Sequence, residues 1–171
     1  MVELCGPITG THPLNTPIFS LGNPGILELH KTAFLCSRNY PSNIVPKTYD
    51  WAISQREAGN CVISGFHSQI EKDVFHYLLK GKQPIILALA RGIPKRIDPV
   101  LKPFIDSGRL LLVTPFEENE TRVTKATAEI RNMFMINLTD NVVIGYASPN
   151  GALAGILKNT AKKPVIFLSE L

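Results

Sequence analysis

Four short segments of this 171-residue chain collect side chains suited to holding an anion. They are Cys36-Ser37-Arg38-Asn39-Tyr40-Pro41, Ser64-Gly65-Phe66-His67-Ser68-Gln69, Ala90-Arg91-Gly92 and Ala147-Ser148-Pro149-Asn150-Gly151. Each follows a short apolar run, and most precede a helical pattern. Small, hydroxyl and amide residues in that place let backbone N–H groups approach an anion at the positive end of a helix. Ser37 and Arg38 add a hydroxyl and a forked guanidinium that matches phosphate geometry. Asn150-Gly151 opens the last helix, where glycine permits close backbone approach. Taken singly, each segment also reads as an ordinary cap or turn. The functional reading rests on all four lying at one edge of a sheet.

His67 stands at a strand end, where an imidazole is a loop hydrogen-bonder before it is a catalytic base. Glu71, one turn later, either orients that ring or faces solvent. His76 reads as a surface residue, and His12 and His30 fall in the N-terminal lead-in. No G-x-G-x-x-G follows the first strand and no P-loop motif occurs, so two common nucleotide fingerprints are missing.

The elements that must position these residues follow from the hydrophobic pattern. Apolar runs at 33–36, 61–64, 84–89, 110–113, 142–146 and 165–168 are rich in Val, Ile and Leu and do not alternate with polar residues, as expected of strands buried on both faces. Helical patterns lie between them, at 48–58 ending on Gly59, at 68–80 ending on Gly81, from Asp98-Pro99 toward Ser107-Gly108, at 121–137 and at 151–161. Strands alternating with helices imply right-handed crossovers and a Rossmann-like three-layer α/β/α sandwich around a mostly parallel six-stranded sheet. The expected strand order is 3-2-1-4-5-6, with ligands at the carboxyl ends near the reversal between the first and fourth strands. Residues 1–31, which hold Pro7, Pro13, Pro17 and Pro24, read as an extended lead-in, and 32–171 as one domain.

Composition sets bounds on function. Hydrophobic residues make up 44% and charged residues 19%, ordinary globular usage with enough core for a single domain. The net charge of +4 permits polyanion binding without establishing it. Cys5, Cys36 and Cys61 form no CxxC pair and no cluster with His at ligand spacing, so no metal or cofactor is expected. Cys36 and Cys61 lie in apolar runs and read as reduced, buried thiols. No apolar stretch approaches the roughly 20 residues of a membrane span, and no signal peptide is visible, so a cytoplasmic protein without membrane contact is expected. Of the cations, Lys95 and Arg96 fall on the ligand edge and suit a nucleic-acid backbone. Lys162 and Lys163 fall on the opposite edge and read as solvated.

The run AFLCSRNYP resembles the "AIVGSR" strand and turn of the DNA-processing protein A (DprA, or Smf) family, within the wider group that holds the Lonely Guy phosphoribohydrolases. CVISGFHSQIEKD is similar to that family's "VVSGLARGIDAAA", and EIRNMFMINLTDNVVIGYASPNGALAGI to "RRNRIISGLSRAVVVVEAAERSGSLITA". The entry stretch from Pro17-Ile18-Phe19 through Gly22-Asn23 fits as well. The resemblance spans about 17–168 and places Arg131 and Asn132 on the first two positions of the family's R-N-R, and Asn150-Gly151 on its Ser-Gly. It departs at Cys36 in place of glycine, at Ser68-Gln69 in place of Arg-Gly, and at Met133. It implies single-stranded DNA binding in DNA processing or recombination, with homodimerisation. Ser37, Arg38, Ser64, Gly65, His67, Arg91, Arg131, Asn132, Asn150 and Gly151 would then be the ligand-binding set.

Two other functions share that pocket. One is a nucleotide sensor that signals through a partner. The other is hydrolysis of a nucleoside monophosphate as in the Lonely Guy enzymes, which needs a P-G-G-x-G-T-x-x-E element before the last helix. Here 148–156 read SPNGALAGI, without a carboxylate to stabilise an oxocarbenium-like transition state. Binding without turnover is therefore the expectation. Tyr40, Phe66 and Tyr146 stand near strand ends, to stack on bases or to pack the core.

Overall fold

A computed structural model of the protein describes residues 16–160 and 162–171. Cys5 and His12 lie outside them. The apolar runs form the sheet foreseen, as β2 (Lys31–Leu35), β3 (Cys61–Ser64), β4 (Ile85–Ala88), β5 (Leu110–Thr114), β6 (Asn141–Ile144) and β7 (Val165–Phe167). A seventh strand, β1 (Phe19–Leu21), pairs antiparallel with β5, from Phe19 opposite Thr114 to Leu21 opposite Leu112. The six-strand expectation missed it because three residues among prolines and glycines carry no periodic signal. Part of the supposed lead-in is thus an edge strand, followed by a 3-10 turn at Pro24–Glu28.

The strand order is β1-β5-β4-β3-β2-β6-β7, with all pairs but the first parallel. This corrects the expected order. The strand at Leu110–Thr114 lies beyond β4, and the one beside β2 is β6. The links explain the arrangement. A short crossover with the five-residue α3 (Lys102–Asp106) sets β5 next to β4. The chain then needs about 19 Å, four strand spacings, to reach β6 from β5. The extended link 115–124 supplies it, since ten residues reach up to about 33 Å. The order therefore reverses at β2 and β6.

The helices divide accordingly. α1 (Ile44–Ala58), α2 (Gln69–Leu79) and α3 cover one face through Ile44, Ala52, Ile70, Val74, Leu78 and Ile105. α4 (Lys125–Leu138) and α5 (Ala152–Lys158) cover the other through Phe134, Leu138 and Leu153. α1 starts earlier than its pattern suggested, because Pro46 sits in its first turn, where a missing N–H costs nothing. It stops at Gly59, whose φ of 75° is the left-handed conformation that closes a helix. Asp98 does not cap α3. Its carboxylate accepts from Val100 N at 2.9 Å in a local turn, and the helix begins four residues on.

Lys163, read as solvated, is a structural cation. Its ammonium donates to the carbonyls of Ile136 at 2.7 Å and Asn137 at 2.8 Å, and to that of Thr139, closing the carboxyl end of α4. Among the described residues no helix is long and apolar enough to cross a membrane.

Candidate functional site

The reversal between β2 and β6 opens a crevice at their carboxyl ends, as open parallel sheets do at such a point. A cleft of about 720 Å³ occupies it. Its walls come from the turn after β2 (Ser37, Arg38, Asn39), the start of α2 (His67, Ser68, Glu71), the first two turns of α4, and the entry to α5 (Ser148, Gly151, Ala152). The size lies within the range of small-ligand sites.

Two side chains tie the turns together. Ser37 Oγ accepts from Ser148 N at 2.9 Å, and Ser148 Oγ donates to Asn39 O at 3.0 Å, so the turns on either side of the reversal are laced to each other. Glu71 organises the other side. Its carboxylate is buried and accepts from Cys36 N at 3.3 Å, His67 N at 2.9 Å and Ser68 N at 3.1 Å. Ser68 Oγ returns the favour by accepting from Glu71 N, which completes a capping box at the start of α2. Glu71 therefore neither lies on an exposed helix face nor bonds to the His67 ring.

This geometry corrects the expectation of a backbone cradle. Ser37 N donates to Tyr146 O and Gly151 N to Ser148 O, while Cys36, His67 and Ser68 donate to Glu71. These five main-chain donors, and Ser148 N on Ser37 Oγ, are committed inside the protein, whereas no side chain caps the start of α5. At the turns after β2 and β3 the groups that face the cleft are therefore mainly side chains.

Arg131 is the most constrained of them. It is only 7% exposed, yet its side chain reaches the cleft wall from α4. Its Nε donates to Asn132 Oδ1 at 3.0 Å, and none of the ion pairs among the described residues involves it. Burial lowers its pKa, opposed by the negative charge of Glu71. The guanidinium lies against Gly65, where a Cβ would stand 2.1 Å from Nη1. That contact explains the glycine: any side chain there would push the cation from its bed.

His67 presents an exposed ring at the rim, and its pKa is lowered, first by partial desolvation and then by Arg131 and Arg38. Three cations and a histidine thus face the cleft, as Arg38, Lys125, Arg131 and His67, against the carboxylates of Glu71 and Glu129. Among the described residues no three His, Cys, Asp or Glu side chains gather to hold a metal ion.

Of the residues expected at the site, Ser37, Arg38, His67, Arg131, Asn132 and Gly151 line the cleft, and Gly65 backs Arg131. The other three do not line it. Ser64 is buried at the end of β3, where its Oγ accepts from Phe66 N at 3.2 Å. Asn150 is exposed, taking the turn's left-handed φ of 59°. Arg91 follows β4, two strands from β2, and its carbonyl accepts from Thr114 Oγ1 at 2.7 Å. Phe66 is removed as a stacking platform, since it is buried and stacked on Phe75 with centroids 4.4 Å apart. Tyr40 and Tyr146 are half-buried against the core.

Sequence reasoning missed Thr124, Lys125, Ala128 and Glu129, all on the cleft wall. They precede Arg131 on one helix, and their spacing of three and four residues is the signal that would have found them. Glu71 and Glu129 bring two carboxylates to the cleft wall. The α5 entry supplies none, but α2 and α4 do.

No family model matches the chain, and a search of curated proteins returns no match either. Solved structures do match its fold. DNA processing protein A from Helicobacter pylori, studied for its single-stranded DNA binding mode, superposes with a TM-score of 0.69 at 18% identity, covering 88% of this chain and 71% of that one. The Streptococcus pneumoniae counterpart gives 0.71 at 17% identity over 88% of this chain, which spans only 54% of the pneumococcal one. The molybdenum cofactor binding protein of Rippkaea orientalis is more distant, at 0.54 and 15% identity. The fold is the Rossmann-like fold seen in DNA processing protein A.

Proposed function

We propose that this chain, which shares the fold of DNA processing protein A, binds single-stranded DNA as that protein from Helicobacter pylori does, with a strand phosphate held in the cleft between β2 and β6. Arg131 carries the reading. A guanidinium that is 7% exposed, lacks an ion pair among the described residues and borders a cleft of about 720 Å³ is a cation awaiting an anion. Arg38 and His67 extend the same anionic subsite to the rim, and Lys125 does so from the first turn of α4, where the helix dipole adds to its charge. Exposed Lys95 and Arg96, beyond β4, offer further contacts to a strand that leaves the cleft along the sheet edge.

The role is binding without turnover, in DNA processing or recombination. Of the two cleft carboxylates, Glu71 spends its oxygens on three backbone donors and is unavailable as a base. Glu129 stands on α4, and the α5 entry at 148–156, where the hydrolases carry theirs, has none. Fluorescence anisotropy with a labelled oligothymidylate at two salt concentrations tests the proposal. Phosphate-driven binding should be tightest at low salt and should fall by about tenfold or more in the Arg131→Gln variant. Absence of binding at low salt would refute it.

A further inference from the structure

The two carboxylates of the cleft are not equivalent. Glu71 is consumed by the turns it holds, whereas Glu129 is half-exposed and accepts no hydrogen bond and forms no ion pair among the described residues, although Lys125 lies one turn before it on α4. Its position is also distinct. Glu129 also borders a second hollow of about 360 Å³ shared by α4 and α5, whose α5 wall is Ala152, Gly155 and Ile156 and whose far rim includes Asn137, Asn159 and Thr160. The cleft therefore has a cationic pole toward β2 and β3 and, toward α5, a largely apolar wall with amide and hydroxyl groups beyond it, with one carboxylate at the junction.

We infer that Glu129 reads the base of one nucleotide unit: the phosphate lies on Arg38, His67 and Arg131, and donors on the base edge bind the Glu129 carboxylate over the apolar α5 wall. The inference rests on the phosphate-binding reading above. An ionised carboxylate only accepts hydrogen bonds, and it repels phosphate. A bare polyanion gains nothing beside this carboxylate. Guanine offers a ring N–H beside an exocyclic amine and can engage both carboxylate oxygens; cytosine and adenine offer the amine, and thymine only a ring N–H. Ligands that join a phosphate to a donor-rich base should be selected over inorganic anions.

The test is displacement of a labelled oligothymidylate from the full chain by deoxyguanosine monophosphate, deoxythymidine monophosphate and inorganic pyrophosphate, with the wild type and Glu129→Gln. Deoxyguanosine monophosphate should compete about tenfold better than deoxythymidine monophosphate against the wild type, and the variant should lose that preference while keeping its affinity for pyrophosphate or improving it. A thermal melt checks that the half-exposed substitution leaves the fold intact. Equal competition by the two nucleotides, or a change in the variant that is the same for all three competitors, overturns the base-reading role and leaves the phosphate site standing. Failure of the wild type to bind the oligothymidylate at all overturns both.

Discussion

Replacing Gly65 by alanine should separate binding from stability. The glycine closes β3 beneath the Arg131 guanidinium, and its φ is not in the left-handed region, so the backbone itself accepts a side chain. The new Cβ would stand 2.1 Å from Nη1, 2.4 Å from Cζ and 3.0 Å from Nε. Ordinary contact begins at 3.4 Å, so the head of the side chain must retreat by about 1.3 Å. The retreat also disturbs the 3.0 Å bond from Nε to Asn132. A displacement of that size spoils the paired geometry by which a guanidinium grips a phosphate.

One charge-assisted contact is worth about 1.5–3 kcal/mol, so affinity for an oligothymidylate should fall by about 10- to 100-fold. Stability should move little. Alanine restricts the unfolded chain, worth about 0.4–1 kcal/mol in favour of folding, against a similar cost for resettling a flexible arginine. Anisotropy titrations beside urea unfolding read both quantities on one preparation. A folded Gly65→Ala protein that binds as tightly as the wild type would refute the reasoning, because the position of Arg131 would then not matter to the ligand.

Arg109 should behave in the opposite way. It donates to Leu78 O at 2.6 Å and Leu79 O at 2.9 Å in the last turn of α2 and to Gln83 O at 2.9 Å just beyond it, and Arg109→Ala should cost about 2 kcal/mol in urea unfolding with oligonucleotide affinity unchanged. The lowered pKa of His67 keeps the ring neutral in the free protein near pH 7, while a bound phosphate favours the protonated ring. Affinity should therefore rise as pH falls below the ordinary imidazole value of about 6.5, with proton uptake on binding, and His67→Gln should flatten that rise in an anisotropy titration across pH. The same shift makes the protonated ring cost folding energy, so this residue's contribution to stability is present above pH 6.5 and lost below it. Burial pushes the thiols of Cys36 and Cys61 up to about 12, so in a Cys5→Ser background the native protein should take up no thiol reagent at pH 8 and both groups after denaturation.

The sheet was legible in the sequence because its strands are buried on both faces. Runs such as Ile85–Ala88 and Leu110–Thr114 leave few other readings. β1 was not legible, since its three residues gain their place only by pairing with β5. Strand order failed for a related reason: no local pattern says whether the strand after a crossover returns beside its predecessor or passes over three others. At the site, turns could be located from strand ends, and Ser37, Arg38, His67 and Gly151 followed. Arg131 and Asn132 came from family resemblance alone. Lys125 and Glu129 sit on a helix flank, where a polar residue looks the same whether it faces solvent or a cleft. Arg91 shows the converse, for it follows β4, two strands from the reversal, whereas Asn150 lies at the reversal but is turned outward by its left-handed conformation.

Glu71 accounts for the largest difference between expectation and structure. Turns ahead of helices were expected to offer their N–H groups to an external anion, and at the start of α2 those groups do bind an anion, but the protein's own. A phosphate placed there would have to displace a buried carboxylate that already holds three donors. A capping box closes the helix start, and the turns after β2 and β3 are fixed relative to each other before any ligand arrives. Glu71 also supplies the negative charge that offsets the burial of Arg131. With the donors at the start of α2 committed, the phosphate binding proposed above would depend mainly on guanidinium, ammonium and imidazole groups projecting from α4 and the rim. Such groups are more sensitive to salt and pH than a backbone nest would be, because their charge is screened by ions and, for His67, set by protonation. A steep response of affinity to both variables is thus a consequence of how Glu71 has used the helix end, and a salt-insensitive site would contradict it.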